Sequence, residues 1–225
     1  MKNNEAYEIE IKCLLGAPER ARALEARMRE LDPSLAALGT HRQRNHYFES
    51  KGDFRRAAQV LADEGDRAEF IALAEKAKDV SLRTRDADGK VLLVLKASID
   101  DTTSANGTAR REFEREVALP IEKLDEALLG AGFEYQAKWS RERTEYKFNG
   151  ANVTIDKNAG YGYLAEFEMV EQDPSKADET KARLRTLIED VGLQELDQAR
   201  LARMFAHYNA HWREYYGTEK IFVIE

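Results

Sequence analysis

Glu8-Ile9-Glu10-Ile11-Lys12-Cys13-Leu14 alternates charge and hydrophobe without a break. Coiled as a helix, the stretch would carry charge on every side. Extended as a strand, it puts Glu8, Glu10 and Lys12 on one face and Ile9, Ile11 and Cys13 on the other. The apolar face points to a core. The opposite face carries two carboxylates, suited to a hard divalent cation, and then an ammonium suited to phosphate. The same spacing of two recurs along the chain. Arg83 and Arg85 share a face, as do Glu112, Glu114 and Glu116, then Arg141 and Arg143, then Glu166 and Glu168; Lys96 closes an apolar strand and Asp156 ends an alternating one. Any one of these pairs is ordinary decoration of a solvated strand. Five strands with paired like charges are not, because like charges side by side repel unless cations or anions sit opposite. Acids and guanidiniums share one interior only if they are interleaved or bridged by ligand, and a metal-bound polyphosphate supplies both partners.

Turn and helix signals place these strands. Strands are expected over 8–14, 42–49, 80–85, 91–96, 111–117, 135–148, 153–156 and 163–171, with turns at Asp88-Gly89 and Asn149-Gly150. Helices are expected over 19–31 (apolar at Ala21, Leu24, Met28 and Leu31), 54–78 with a break at Gly65, 120–130, 176–191 and 198–215, and a polar loop over 98–108. Hairpin-linked strands do not make a parallel doubly wound sheet. Charge on one strand face and hydrophobes on the other fit an α+β fold: a closed antiparallel eight-stranded β-barrel with a polar tunnel and flanking helices. We expect a single domain over 1–225, with the barrel at about 7–171, a helical insertion at about 54–78 and C-terminal helices at about 174–216.

The 43% hydrophobic content supports a core, and the 34% charged content exceeds the usual quarter, so the excess has to be housed. A net charge of −7 argues against a nucleic-acid surface but allows a local cationic site. The lone Cys13 excludes an intrachain disulfide and lies on the apolar face, as core and not nucleophile. No signal region opens the chain and no run reaches the roughly 20 apolar residues of a membrane span. The expectation is a cytoplasmic protein, monomer or homodimer, without membrane or nucleic-acid partners. His41, His46, His207 and His211 do not cluster with cysteine, which speaks against zinc. His207 and His211, one helical turn apart among Tyr208, Trp212 and Tyr215, read as packing surface.

The ordered set Glu8-x-Glu10-x-Lys12, Arg83-x-Arg85, Lys96, Glu112-x-Glu114, Arg143 three before Tyr146, Asp156 before Gly160-Tyr161-Gly162-Tyr163, then Glu166-x-Glu168 resembles the CYTH family of triphosphate tunnel metalloenzymes. That family includes class IV adenylyl cyclases, thiamine triphosphatases and inorganic triphosphatases. The resemblance spans about 7–171. It implies Mg²⁺ or Mn²⁺ on Glu8, Glu10, Glu166 and Glu168 with Asp156 assisting. It implies triphosphate held by Lys12, Arg83, Arg85, Lys96 and Arg143, with Arg141 pointing the same way. The catalytic set is then Glu8, Glu10, Lys12, Glu112 and Glu114, the last two binding metal, orienting water or balancing charge. Two features depart from the family: the long 54–78 segment, which could cover a tunnel mouth, and an aromatic C-terminal segment in which Arg200 or Arg203 could be a basic plug residue. The expected activity is hydrolysis of inorganic, nucleoside or thiamine triphosphate. The alternatives are a cyclase making cyclic AMP and pyrophosphate from ATP, and a non-catalytic polyphosphate- or nucleotide-binding protein.

Overall fold

The computed structural model describes residues 7–77, 79–98 and 110–225, with Ser98, Arg110 and Pro174 described by backbone alone. The N-terminal stretch 1–6, Lys78 and the polar loop from residue 99 on lie outside the described residues.

Alternation builds the strands: β1 (Tyr7–Gly16), β2 (Ala37–Phe48), β3 (Asp79–Ala87), β4 (Lys90–Ser98), β5 (Arg110–Glu116), β6 (Tyr135–Phe148), β7 (Ala151–Asn158) and β8 (Gly162–Glu171). The hairpins β3–β4 and β6–β7 turn at Asp88-Gly89 (φ 52° and 90°) and Asn149-Gly150 (φ 47° and 83°). Two successive positive φ values match the twist of antiparallel strands, which is why Asp-Gly and Asn-Gly mark them in sequence. All pairings between these strands are antiparallel. They run β1-β5-β4-β3-β2-β6-β7-β8, and β8 pairs back onto β1, so the ring closes. Its narrowest seam is β1–β5, whose described pairing is Glu8↔Arg110.

Among the described residues six α-helices surround the ring: α1 (Pro18–Leu31), α2 (Phe54–Ala57), α3 (Glu64–Lys76), α4 (Ile121–Gly130), α5 (Ala177–Asp190) and α6 (Gln198–Tyr215). Pro18 opens α1 at a position that needs no N–H. Its apolar arc buries Ala21, Leu24 and Met28, but Leu31 stands 39% exposed, at the arc's edge in the last turn. The break expected at Gly65 lies earlier. Gly65 is inside α3, and the chain is interrupted by Asp63, whose carboxylate caps α3 by accepting from the Asp66 N–H.

The hydrophobic core lies outside the ring. Ile9, Ile11, Cys13, Phe167 and Met169 pack with Leu24 and Met28 of α1 and Leu184 and Ile188 of α5. On the other side Leu82, Leu93, Leu95 and Phe113 pack with Phe70 and Leu73 of α3 and Leu124 and Leu128 of α4. The segment expected to cover a mouth is therefore packed on the outer wall: Phe70 meets Phe113 edge-on at 5.4 Å. A third cluster joins Leu14, Leu164 and Trp139 to Tyr161 and to Leu201, Met204 and Phe205 of α6. Trp139 stacks on Tyr208 of α6 at 3.8 Å. A Cβ at Gly160 (φ 94°) would meet that Tyr208 ring at 2.6 Å, so the glycine-aromatic turn lets α6 approach.

Candidate functional site

Residues directly opposite in an antiparallel pair share a face, so the registers alone say what faces inward. Glu10 is opposite Glu168 and Lys12 opposite Glu166. Arg143 is opposite Asp156, and Arg141 opposite Gln43. Tyr47 is opposite Arg83 and Asn45 opposite Arg85. Lys96 is opposite Glu112. Every residue singled out by the spacing of two falls on this inner face.

The side chains interlock. Lys96 Nζ lies 3.2 Å from Glu8 and 2.9 Å from Glu112. Lys12 pairs with Glu10 and, at 3.5 Å, with Glu166. Arg83 reaches Glu112 at 3.3 Å and donates to the Tyr47 hydroxyl at 2.6 Å. Arg85 donates to Glu114 at 2.8 Å and to Asn45 at 3.1 Å. Arg141 donates to Gln43 and to Asp156, both at 2.8 Å. Arg143 grips both Asp156 oxygens at 2.6–2.7 Å and also binds Glu166. Asp156 is fully buried, and Lys12 and Arg83 nearly so. Among the described residues, Arg83 Nε and Thr154 Oγ1 are buried without a hydrogen-bond partner.

Crowding shifts the titration of these groups. Burial, reinforced by Glu112 and Glu168, pushes Glu8 up to about 7 against the pull of Lys96. Burial works the same way on Glu112, but Lys96 and Arg83 overcome it and hold it at about 2. Burial of Glu166 is outweighed by Lys12 and Arg143, which keep it well below the usual carboxylate range. Burial and the neighbouring Arg83 bring Arg85 down to about 10. Partial burial works to raise the Tyr47 phenol, yet Arg83 and Arg141 draw it down to about 8.

The CYTH domain profile matches residues 6–202. The chain belongs to the CYTH family. No curated protein matches it. Among solved structures it is similar to the PH1819 protein of Pyrococcus horikoshii OT3 (20% identity, 89% of this chain and 99% of that one, TM-score 0.62). It is also similar to a candidate adenylate cyclase of Vibrio parahaemolyticus (16%, 84% and 90%, TM-score 0.57). A third is HpAC1 of Hippeastrum, a candidate adenylyl cyclase described as having a dominant triphosphatase activity (20%, 89% and 96%, TM-score 0.51). At such identities the likeness shows the fold alone. Among the described residues no helix is long and apolar enough to cross a membrane.

The donor set of this CYTH ring suits a hard divalent cation. It is all oxygen, and the carboxylates of Glu10 and Glu168 face each other across one register pair, a repulsion that a cation relieves. Among the described residues no three His, Cys, Asp or Glu side chains gather into a self-sufficient metal cage. Mg²⁺ does not need one, since it is commonly held by one or two carboxylates together with substrate phosphates.

One sequence expectation changes. Arg200 and Arg203 do not reach the inner face: they donate to the carbonyls of Ile224 (2.8 Å) and Glu225 (2.8 and 3.2 Å) in the C-terminal tail. α6 instead contributes apolar side chains to that end of the ring. His207 and His211 stack at 4.5 Å, with His211 Nδ1 donating to the His207 carbonyl. Sequence reasoning overlooked Gln43, Asn45 and Tyr47, though they repeat the spacing of two on β2. It could not have found Trp139 at the apolar end. A concavity of about 940 Å³ lies where β2, β6 and β7 meet the tail, but Arg42, Arg44, Glu142 and Lys157 line it from the outer strand face. It touches inner-face positions of the strands only at Gln43, Arg141, Asn158 and Gly162.

Proposed function

We propose that the protein hydrolyses a triphosphate-containing substrate with a divalent metal, Mg²⁺ or Mn²⁺, inside a tunnel through the ring. The carrying observation is the facing of Lys12, Arg83, Arg85, Lys96, Arg141 and Arg143 into one interior lined by carboxylates. Guanidinium forks suit paired phosphate oxygens, and the two ammonium groups act as point charges. The orphaned Arg83 Nε is one donor in want of an anionic acceptor. Glu8, Glu10, Glu166 and Glu168 would hold the metal. Asp156 spends both oxygens on Arg141 and Arg143, so its part is mainly to aim those two forks. When bound, the metal polarises the transferred phosphoryl group and lowers the pKa of an attacking water. The chain's own cations neutralise the phosphate oxygens as the bond to the leaving diphosphate breaks. Glu112 and Glu114 keep the arginines from repelling one another. No protein nucleophile is required, and Cys13 is unsuited to be one: it faces the outer core, and burial pushes its thiol up to about 12.

Hydrolysis is favoured over cyclisation because a cyclase must also seat the ribose and base, with the 3′-hydroxyl in line with the α-phosphorus. The concavity that reaches Arg143, Glu166 and Glu168, past Leu38, Asn152 and Thr154, holds about 180 Å³. That is small beside the roughly 300–1,000 Å³ of sites for drug-sized ligands, and the larger concavity at the tail is lined mainly from the outer strand face. The dominant triphosphatase activity described for HpAC1 points the same way. The test is incubation with inorganic triphosphate, ATP and thiamine triphosphate under either metal, with products identified. Phosphate release from inorganic triphosphate supports the reading. Cyclic AMP and pyrophosphate from ATP, with inorganic triphosphate untouched, would overturn it in favour of a cyclase.

A further inference from the structure

Behind the two β3 arginines, on the outer side of the wall, sits a buried polar network that the proposed chemistry does not use. Its centre is Asp125 of α4, 3% exposed. One carboxylate oxygen accepts from the Thr84 hydroxyl at 2.7 Å. The other accepts from His46 Nδ1 at 2.7 Å and from the Tyr135 hydroxyl at 2.6 Å, with Lys138 Nζ 3.6 Å away. His46 Nε2 in turn meets the Tyr216 hydroxyl at 2.8 Å. One carboxylate thus stitches together β2, β3 and β6.

The place of the stitch is specific. His46 and Thr84 are a register pair, flanked on one side by Asn45↔Arg85 and on the other by Tyr47↔Arg83. Because side chains alternate, an outward His46 and Thr84 commit Asn45, Tyr47, Arg83 and Arg85 to the interior. There Tyr47 holds Arg83 and Asn45 holds Arg85. The two arginines are like charges on one strand, and burial together with Arg83 depresses Arg85.

We propose that Asp125 is a positioning residue for triphosphate, acting through His46 and Thr84 to fix β2 against β3 where Arg83 and Arg85 project. The inference rests on the phosphate-binding role proposed above. Pre-organised donors bind more tightly because less ordering remains to be done on binding. Asp125→Asn keeps the shape but turns one acceptor into an N–H donor, so His46 and Tyr135, or else Thr84, lose their acceptor.

The probe is inorganic triphosphate in EDTA, which prevents turnover, with binding followed by calorimetry at 20 °C. We expect Asp125→Asn to weaken binding at least tenfold. A Leu24→Ala variant, which loosens the α1 core elsewhere, should stay within twofold of wild type even though it melts earlier. With metal, Asp125→Asn should raise KM far more than it lowers kcat. Binding by Asp125→Asn within twofold of wild type, or an equal loss in Leu24→Ala, would overturn the inference and leave the phosphate-binding reading standing. Failure of the wild type both to bind triphosphate in EDTA and to release phosphate from it with metal would overturn both. If Asp125→Asn does not fold, Thr84→Val removes one strand of the stitch; there a threefold or greater loss supports the inference and an unchanged affinity overturns it.

Discussion

Arg143 and Arg85 look interchangeable in sequence, and the structure predicts that their removal has unequal consequences for the fold. Arg143 is 14% exposed and engages Asp156, which is fully buried, and Glu166, which is 12% exposed. In Arg143→Met these carboxylates lose their principal cation. Stripping one partner from a buried ion pair costs about 3–5 kcal/mol. Asp156 keeps Arg141 at 2.8 Å and Glu166 keeps Lys12 at 3.5 Å, so the lower end, about 3 kcal/mol, is expected. For a chain of this size that is a fall in Tm of roughly 6–12 °C. Arg85 pairs with Glu114, which is 38% exposed and can return to water, and its loss also removes repulsion from Arg83. Arg85→Met should cost under about 1 kcal/mol, less than about 4 °C. Both variants should bind triphosphate less tightly. The assay is thermal and urea denaturation of ligand-free protein at pH 7. Equal losses of Tm in the two variants would refute the reasoning.

Glu8→Gln and Glu10→Gln keep shape and remove charge. Catalysis should fall by about two orders of magnitude or more with the fold intact, the usual cost of losing a principal electrostatic contributor, and near-normal rates at saturating Mg²⁺ would contradict it. Tyr47 supplies a pH prediction. Its folded pKa of about 8 lies below the roughly 10 of an unfolded tyrosine. The stabilisation from its phenolate is therefore fully present above the unfolded pKa and lost as pH falls through the folded one. Urea denaturation should show wild type gaining stability over Tyr47→Phe between pH 8 and pH 10, with no such gain at pH 7. Over the same range the phenolate competes with phosphate for Arg83, so wild-type affinity for triphosphate should fall more steeply than that of Tyr47→Phe, in which only Arg85, at about 10, loses charge.

The elements and the inward face were legible in the chain. A period of two can bury Ile9 and Ile11 only by turning Glu8, Glu10 and Lys12 the other way, and Asp88-Gly89 and Asn149-Gly150 announce hairpins by a backbone geometry few other residues adopt. Partnership was not legible. That Asp156 serves two arginines, that Glu8 crowds Glu112 from a strand 104 positions on, and that α6 brings leucine, methionine and phenylalanine to one end instead of Arg200 or Arg203 all depend on how far each strand slides past the next. Strand stagger is set by the packing of α1, α3, α4 and α5 on the outer wall, which is long-range. The His46–Asp125 stitch shows the same limit. An aspartate in an amphipathic helix reads as solvent-facing, and only tertiary packing turns it into the buried anchor between two strands. Alternation is a local property that sequence displays, whereas the pairing of charges is a property of register, which the assembled wall decides.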